Sequence, residues 1–392
     1  MESTMNALLV KGSKLLTASS LSIAIMTSAQ QASAAAMVPS QQPLFLTQGV
    51  APNILVTLDD SGSMAFAYAP DSAQSERNRN YFKSNYFNPM YYSPTTEYKL
   101  PKKVTLVSGE LKITEYDTPI FTAAWKNGFT KASAVNLSSN YAATVEYGRG
   151  ADTDTAADGR AHYYEYRPNN ANCNKTKTDT DCYSKVNIPA TAAAEKNFAI
   201  WYSFYRTRAL ATQTAANLAF YSLPENVRLT WQVLNNSTCN VMGSGSSSGN
   251  CNTNYLREFS GQHRANFFTW LEKLSVTGGT PLRQAMQRAG NFLSQTGING
   301  PYAYSLGKQT NPEYACRPTY HILMTDGIWN SDSASVGNAD NTNIATLPDG
   351  KSYTAIAPYK DGASNTVADL AFNYWRQDAR TNIDNKIKPF IS

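Results

Sequence analysis

With 392 residues, 42% of them hydrophobic, the chain is long enough for one large domain or two ordinary ones and apolar enough to bury a core. Only 16% of it is charged, and the net charge of +5 is small and unclustered, which excludes the basic stripe that nucleic-acid binding requires. The 24 tyrosines and an aromatic content of 11% suit an exported protein rich in irregular surface loops.

Residues 1–36 read as a secretory signal. Lys11 and Lys14 precede an apolar stretch over 15–29, and Ala32, Ser33, Ala34, Ala35 and Ala36 follow as small residues for cleavage. The rival, a membrane anchor, is disfavoured because the stretch is short for a bilayer and broken by Thr17, Ser19, Ser20 and Ser22. No later segment is long and apolar enough to span one, so no transmembrane segment is expected. A linker over 37–51 leads to the run "NILVTLDDSGSM".

The continuous apolar run Asn53–Leu58 predicts a buried parallel strand. It stops at Asp59 and Asp60 and is followed by Ser61, Gly62 and Ser63. Residues 65–189 turn Tyr/Asn/Thr-rich with little helical periodicity, which predicts an insertion of short strands and loops, one strand running over 104–113. The aromatics over 81–92 serve either an adhesive surface or the packing of the insertion on the sheet.

Helical spacing returns near 192 and predicts one helix ending at Pro224. Strands follow over 227–234 and 255–259, and a helix over 265–274. Then come the loop Gly278-Gly279-Thr280, a helix over 281–293 with proline in its first turn, a second buried strand over 319–325 and a helix over 367–378. This alternation predicts an α/β fold with a doubly wound, mainly parallel sheet. Its segments are 52–64 and 190–392, with 65–189 inserted after the first strand. Such sheets bind ligands at the carboxyl ends of their strands, where Asp59 and Asp326 lie.

Export permits disulfides. Cys173 and Cys182 flank a short polar loop, and Cys239 and Cys251 flank a Gly/Ser-rich one, so each pair is expected to close its own loop at little entropic expense. Zinc, the rival reading, wants closer spacings and histidine. Cys316 is left unpaired, as a free thiol or with a partner elsewhere.

Asp59, Ser61 and Ser63 form a D-x-S-x-S triplet. With Thr280 and Asp326 they supply two carboxylates and three hydroxyls, all hard oxygen donors, which suits Mg²⁺, or Mn²⁺ or Ca²⁺, rather than zinc or copper. Gly62 and Gly279 are expected to let the backbone turn sharply. Asp60 is expected to point away into local hydrogen bonds. The competing reading of the triplet alone is a helix cap or turn.

These three motifs, in this order and at strand ends, resemble the metal-ion-dependent adhesion site of von Willebrand factor type A domains. The segments "PNILVTLDDSGSM", "YFNPMYYSP", "WYSFYRTR", "TGGTPLRQAM", "YHILMTDGIWN" and "LAFNYWRQDAR" are similar to the amino-terminal part of PilY-type type IV pilus tip proteins. The resemblance implies a non-enzymatic, exported pilus adhesin or assembly factor at the pilus tip, outer-membrane surface or periplasm. Its Asp59, Ser61, Ser63, Thr280 and Asp326 would hold the cation, with one position open for a carboxylate of a minor pilin, another tip protein or a host-cell surface. Type A domains usually carry six strands. Four are legible here, so a fragment lacking the carboxy-terminal strands and the carboxy-terminal β-propeller is expected.

Two other classes stay in view. A Mg²⁺-dependent phosphotransferase or hydrolase would need a base and a positive group beside the ion, and no lysine or arginine lies within the three motifs. Arg283 follows closely, on a helix face expected to point away. The other is a surface-binding type A module outside pilus biology. The "GSSSG" at 245–249 fits a hydrolase pattern but has no strand before it, and His162, His263 and His321 read as structural or surface residues. The "DTDTAADG" at 152–159 lacks the central glycine and closing glutamate of a calcium loop and reads as a solvated turn.

Overall fold

The structure, a computed structural model, describes residues 50–150, 152–235, 256–296, 300–303, 313–314, 317–330, 332–348, 350–379 and 381. The signal and most of the linker, the Cys239–Cys251 pair, the "GSSSG" segment and Cys316 lie outside the described residues. No helix among the described residues is long and apolar enough to cross a membrane.

Strand β1 (Asn53–Leu58) is buried at every position. The insertion follows as antiparallel two-stranded ribbons: β2 (Lys102–Val107) with β3 (Glu110–Glu115), β4 (Ala124–Asn127) with β5 (Ala132–Val135), β6 (Thr144–Glu146) with β7 (Thr153–Asp154), and β8 (His162–Tyr166) with β9 (Tyr183–Asn187). The single strand expected over 104–113 is therefore a hairpin. Its turn is made by Ser108 and Gly109, both at positive φ (52° and 87°), as the tight turns that match strand twist require. Cys173 and Cys182 are joined as a disulfide.

The helix expected from 192 to 224 is two helices, α1 (Ala192–Phe204) and α2 (Arg208–Phe220). Thr191 and Thr207 are their N-caps, each side chain accepting from a backbone N–H inside the first turn. Thr207 is the reason for the break, because a capped start satisfies amides that a continuous helix would satisfy internally. Strand β10 (Arg228–Val233) and the two-residue β11 (Arg257–Glu258) follow, the latter shorter than the 255–259 predicted. Helix α3 (Gly261–Glu272) begins earlier than predicted, and α4 (Leu282–Leu293) takes Pro281 as its N-cap. Strand β12 (Thr319–Met324) and helix α5 (Val367–Trp375) complete the described elements.

The main sheet has the order β11-β10-β1-β12. β1 pairs in parallel with β10 and β12, and β11 is antiparallel to β10. Helices cover both faces. Trp231 of β10 packs on His263, Phe267 and Trp270 of α3, while Leu55 meets Ala289 and Phe292 of α4 on the other side. β12 was expected to be buried and is only partly so. It pairs on one side alone among the described residues, and Tyr320 and Ile322, on the face turned from α4, are 42% and 39% exposed.

The insertion has small buried clusters of its own, one around Tyr68, Phe82 and Val145 and one around Tyr81, Cys182 and Tyr183, but its largest is shared with α1. Tyr91, Tyr92, Phe121, Tyr141, Phe198, Trp201 and Tyr202 share one buried cluster, so α1 supplies its inner wall. Of the aromatics over 81–92, Tyr81, Phe82, Tyr91 and Tyr92 are buried, while Tyr86 is 44% exposed. Packing, more than display, accounts for that run.

Candidate functional site

The site begins where the parallel ladder ends. Leu58 is in register with Met324, and Asp59 N–H still donates to Met324 O at 2.9 Å. This sets the Asp59 side chain beside Thr325. Asp59 is fully buried: its Oδ1 accepts Ser61 N–H at 2.7 Å and its Oδ2 accepts the Thr325 hydroxyl at 2.7 Å. Ser61 Oγ and Ser63 Oγ lie 3.1 Å apart on the short 3-10 turn Gly62–Ala65.

A second loop is stitched to this one through backbone. Thr277 N–H donates to Asp60 O at 2.8 Å, and Gly62 N–H donates to Gly278 O at 3.1 Å. Asn235, at the end of β10, clamps both loops, donating its Nδ2 to Asp60 Oδ1 at 2.9 Å and to Gly279 O at 2.7 Å. Thr280, next after Gly279, is buried, its N–H on Asn330 Oδ1 at 2.9 Å and its carbonyl accepting Asn330 N–H at 3.0 Å. Asp60 was expected to make local hydrogen bonds, but its side chain instead accepts from the N–H and Nδ2 of the distant Asn235. Burial raises its pKa, against the lowering effect of those bonds.

The glycines act differently from expectation. The left-handed residue of the second loop is Gly278 (φ +98°) rather than Gly279. At Gly62 a Cβ would come within 2.7 Å of Arg149 Nε, the end of a flexible, half-exposed side chain reaching over from the insertion, so the arginine rather than the backbone would have to shift.

Asp326 brings a group that the motifs gave no hint of. Its Oδ2 accepts Arg208 Nη1 at 2.6 Å, and the two side chains are 12% and 9% exposed. Arg208 is engaged through all three of its nitrogens: Nη2 also donates to Asp71 Oδ1 and Tyr68 O, and Nε to Tyr68 O. Burial disfavours the guanidinium's charge, but the bonds to Asp71 and Asp326 outweigh it and raise its pKa. Arg283 is engaged as well, holding Asp332 through its backbone N–H at 2.6 Å and Nε at 2.9 Å.

The structure thus brings Asp59, Ser61 and Ser63 together, bonds Asp59 to Thr325, the residue before Asp326, while the Asp326 carboxylate itself is held by Arg208, and ties the loop of Thr280 to Asp60 and Gly62 through backbone. Thr325, Asn235, Asn330 and Arg208 were missed. Thr325 adjoins a motif residue and could have been suspected, whereas the others carry no local signal. All donors are oxygens. The two serine hydroxyls are hydrogen-bonded to each other at 3.1 Å, a separation that the neighbouring oxygens of an octahedral Mg²⁺, about 3 Å apart, would also adopt.

The set-aside residues stay outside. Asp152 and Asp154 face Lys126, and Asp158 faces Lys83, Lys185 and His162, so the acids of 152–159 do not converge on one point. His162 and His321 are held neutral by burial, each with its pKa lowered to about 4. His263 Nε2 lies 2.7 Å from Leu229 O in the core. Among the described residues, the cluster of Cys173, Asp179 and Cys182 has metal-ligand spacing, but its sulfurs form the disulfide.

Comparison with known proteins then decides the family. The chain is 61% identical over 375 residues to the type IV pilus biogenesis factor PilY1 of Pseudomonas aeruginosa strain PAO1. It is 62% identical over 379 residues to that of strain PAK, and 46% over 386 residues to that of strain UCBPP-PA14. The chain belongs to the PilY family. At least 95% of it is covered in each comparison, but it spans only 32% of the length of these PilY relatives. No family model and no solved structure matches it.

Proposed function

We propose that this PilY-family chain is an exported, non-enzymatic part of the type IV pilus machinery, acting in pilus assembly and adhesion. In this reading its main sheet is a von Willebrand factor A-type fold. Asp59, Ser61, Ser63, Thr280 and Asp326 hold a divalent cation, Mg²⁺ first, whose remaining coordination position takes a carboxylate from a minor pilin, another tip protein or a host surface. The observation that carries the reading is the pair of serine oxygens at octahedral spacing beside the buried Asp59 carboxylate. The relatives' name, type IV pilus biogenesis factor, supports the pilus context. Ile328, two residues past Asp326, is 78% exposed and Trp329 39%, an apolar rim suited to a protein partner.

The test is a calorimetric titration with Mg²⁺ and Mn²⁺ of the wild type and of Asp59→Ala. The expected result is binding by the first and none by the second. Equal affinity would remove the site. The phosphotransferase alternative needs a cation free to hold phosphate. Arg208, the arginine bonded to Asp326, has its N–H groups engaged by Asp71, Asp326 and Tyr68, which favours the binding role. Turnover of an aryl phosphate that Asp59→Ala abolishes would reverse that preference.

A further inference from the structure

Arg208 joins three parts of the molecule. It opens α2, it bonds Asp326 of the site, and it bonds Tyr68 and Asp71 at the start of the insertion. Its guanidinium carbon lies 5.3 Å and 5.9 Å from the ring centres of Phe66 and Tyr68, so the insertion's first residues wrap it. Its ion pairs to Asp71 Oδ1 and Asp326 Oδ2 are both 2.6 Å. The Asp71 side chain is 61% exposed, so one end of this clasp reaches solvent while the other is buried.

A carboxylate that ligates a metal is commonly oriented by a hydrogen bond to its second oxygen, and removing that partner typically weakens metal affinity 10- to 100-fold. Arg208 grips Oδ2 of Asp326 in that manner. We propose that Arg208 is the positioning residue of the cation site: it aims Asp326 and, through Asp71 and Tyr68, couples occupancy of the site to the order of residues 66–77 at the entry to the insertion. This rests on the metal reading above and adds a residue and a segment that neither the motif nor the relatives' names assign. A guanidinium that merely stood in for the cation would compete with it, and its loss would tighten binding. The positioning role demands the opposite sign. Coupling is reciprocal, so the cation should slow amide exchange in 66–77.

The experiment titrates Mn²⁺ into the full chain as wild type, Arg208→Gln, Asp71→Asn and Asp59→Ala, and records amide exchange of 66–77 with and without Mn²⁺. The expected results are an affinity loss of about tenfold or more in Arg208→Gln, and a Mn²⁺-dependent slowing of exchange that is present in the wild type and lost in Asp71→Asn. An Arg208→Gln affinity equal to or tighter than wild type, even with a lowered unfolding midpoint, overturns the proposal. So does Asp71→Asn retaining the slowing, which decides the matter if Arg208→Gln fails to fold. If the wild type binds no Mn²⁺, both the metal reading and this inference fall. If Asp59→Ala alone loses binding, only this inference falls.

Discussion

Thr325 only adjoins a motif residue, yet its hydroxyl donates to the buried Asp59 carboxylate. Thr325→Val keeps the shape and deletes the donor, leaving a buried charged oxygen unsatisfied. A loss of about 1–3 kcal/mol is expected, read as a lower urea midpoint in EDTA, and an unchanged midpoint would show that Asp59 does not depend on it. Gly278 has a positive φ and faces Asn235 Oδ1 at 3.1 Å from the position of a Cβ. Both features resist a side chain, and Gly278 O is the acceptor that ties the two site loops. The residue types of the proposed site could be read from the chain because hard-cation chemistry would restrict them to oxygen donors. Arg208, Asn235 and Asn330 could not, because an arginine or asparagine reveals its partners only when packed.

At the scale of elements, α4 and α5 meet through a glycine. Gly→Ala inside a helix ordinarily stabilises by roughly 0.5–1 kcal/mol. At Gly290 the new Cβ would lie 2.1 Å from the Tyr374 ring of α5. Overpacking of this kind costs roughly 1–3 kcal/mol, so sterics outweigh propensity. Gly290→Ala should release α5, seen as faster amide exchange over Val367–Trp375, and a rise in stability would refute the packing. The β8–β9 ribbon is closed by Cys173 and Cys182, nine residues apart. Reduction should loosen it by about 2–3 kcal/mol on loop-closure grounds, measured as exchange in β8 and β9 with and without reductant. The α1/α2 break and the Ser108-Gly109 hairpin turn were visible as Thr207 and a serine-glycine pair, but hydrophobic spacing ran through both.

The whole molecule is cemented by the insertion. Excising residues 78–188 tests whether the main sheet stands without the insertion. The shared cluster with Phe198, Trp201 and Tyr202 argues that excision instead strips α1 and exposes its aromatic face. Aggregation on size exclusion is the expected outcome, and a monomer that still binds Mn²⁺ would show the sheet to be independent. Acid should also unfold the molecule early. His321 bonds Thr57 in the main sheet and His162 lies within the insertion, and burial lowers both pKa values to about 4 from 6.5. The unfolded state therefore binds more protons. The stability these residues contribute is whole above about pH 6.5 and is lost as pH falls toward 4, by roughly 1–3 kcal/mol each. Urea midpoints at pH 7.5 and pH 5 test this, and His321→Gln should remove part of the difference.

The sequence by itself determined β1, the alternation of strands and helices along the chain from β10 to α5, and the positions of the oxygen-bearing residues after β1 and in the later loops. Each of those follows from local periodicity or from the chemistry a residue type can perform. Only the tertiary structure decided that β12 is the outer strand among the described residues, with an exposed face, that the insertion's largest aromatic cluster is built on α1, and that a buried arginine from α2 grips Asp326. Those depend on which distant surfaces meet, and burial and ion pairing are properties of that meeting rather than of any short stretch of chain.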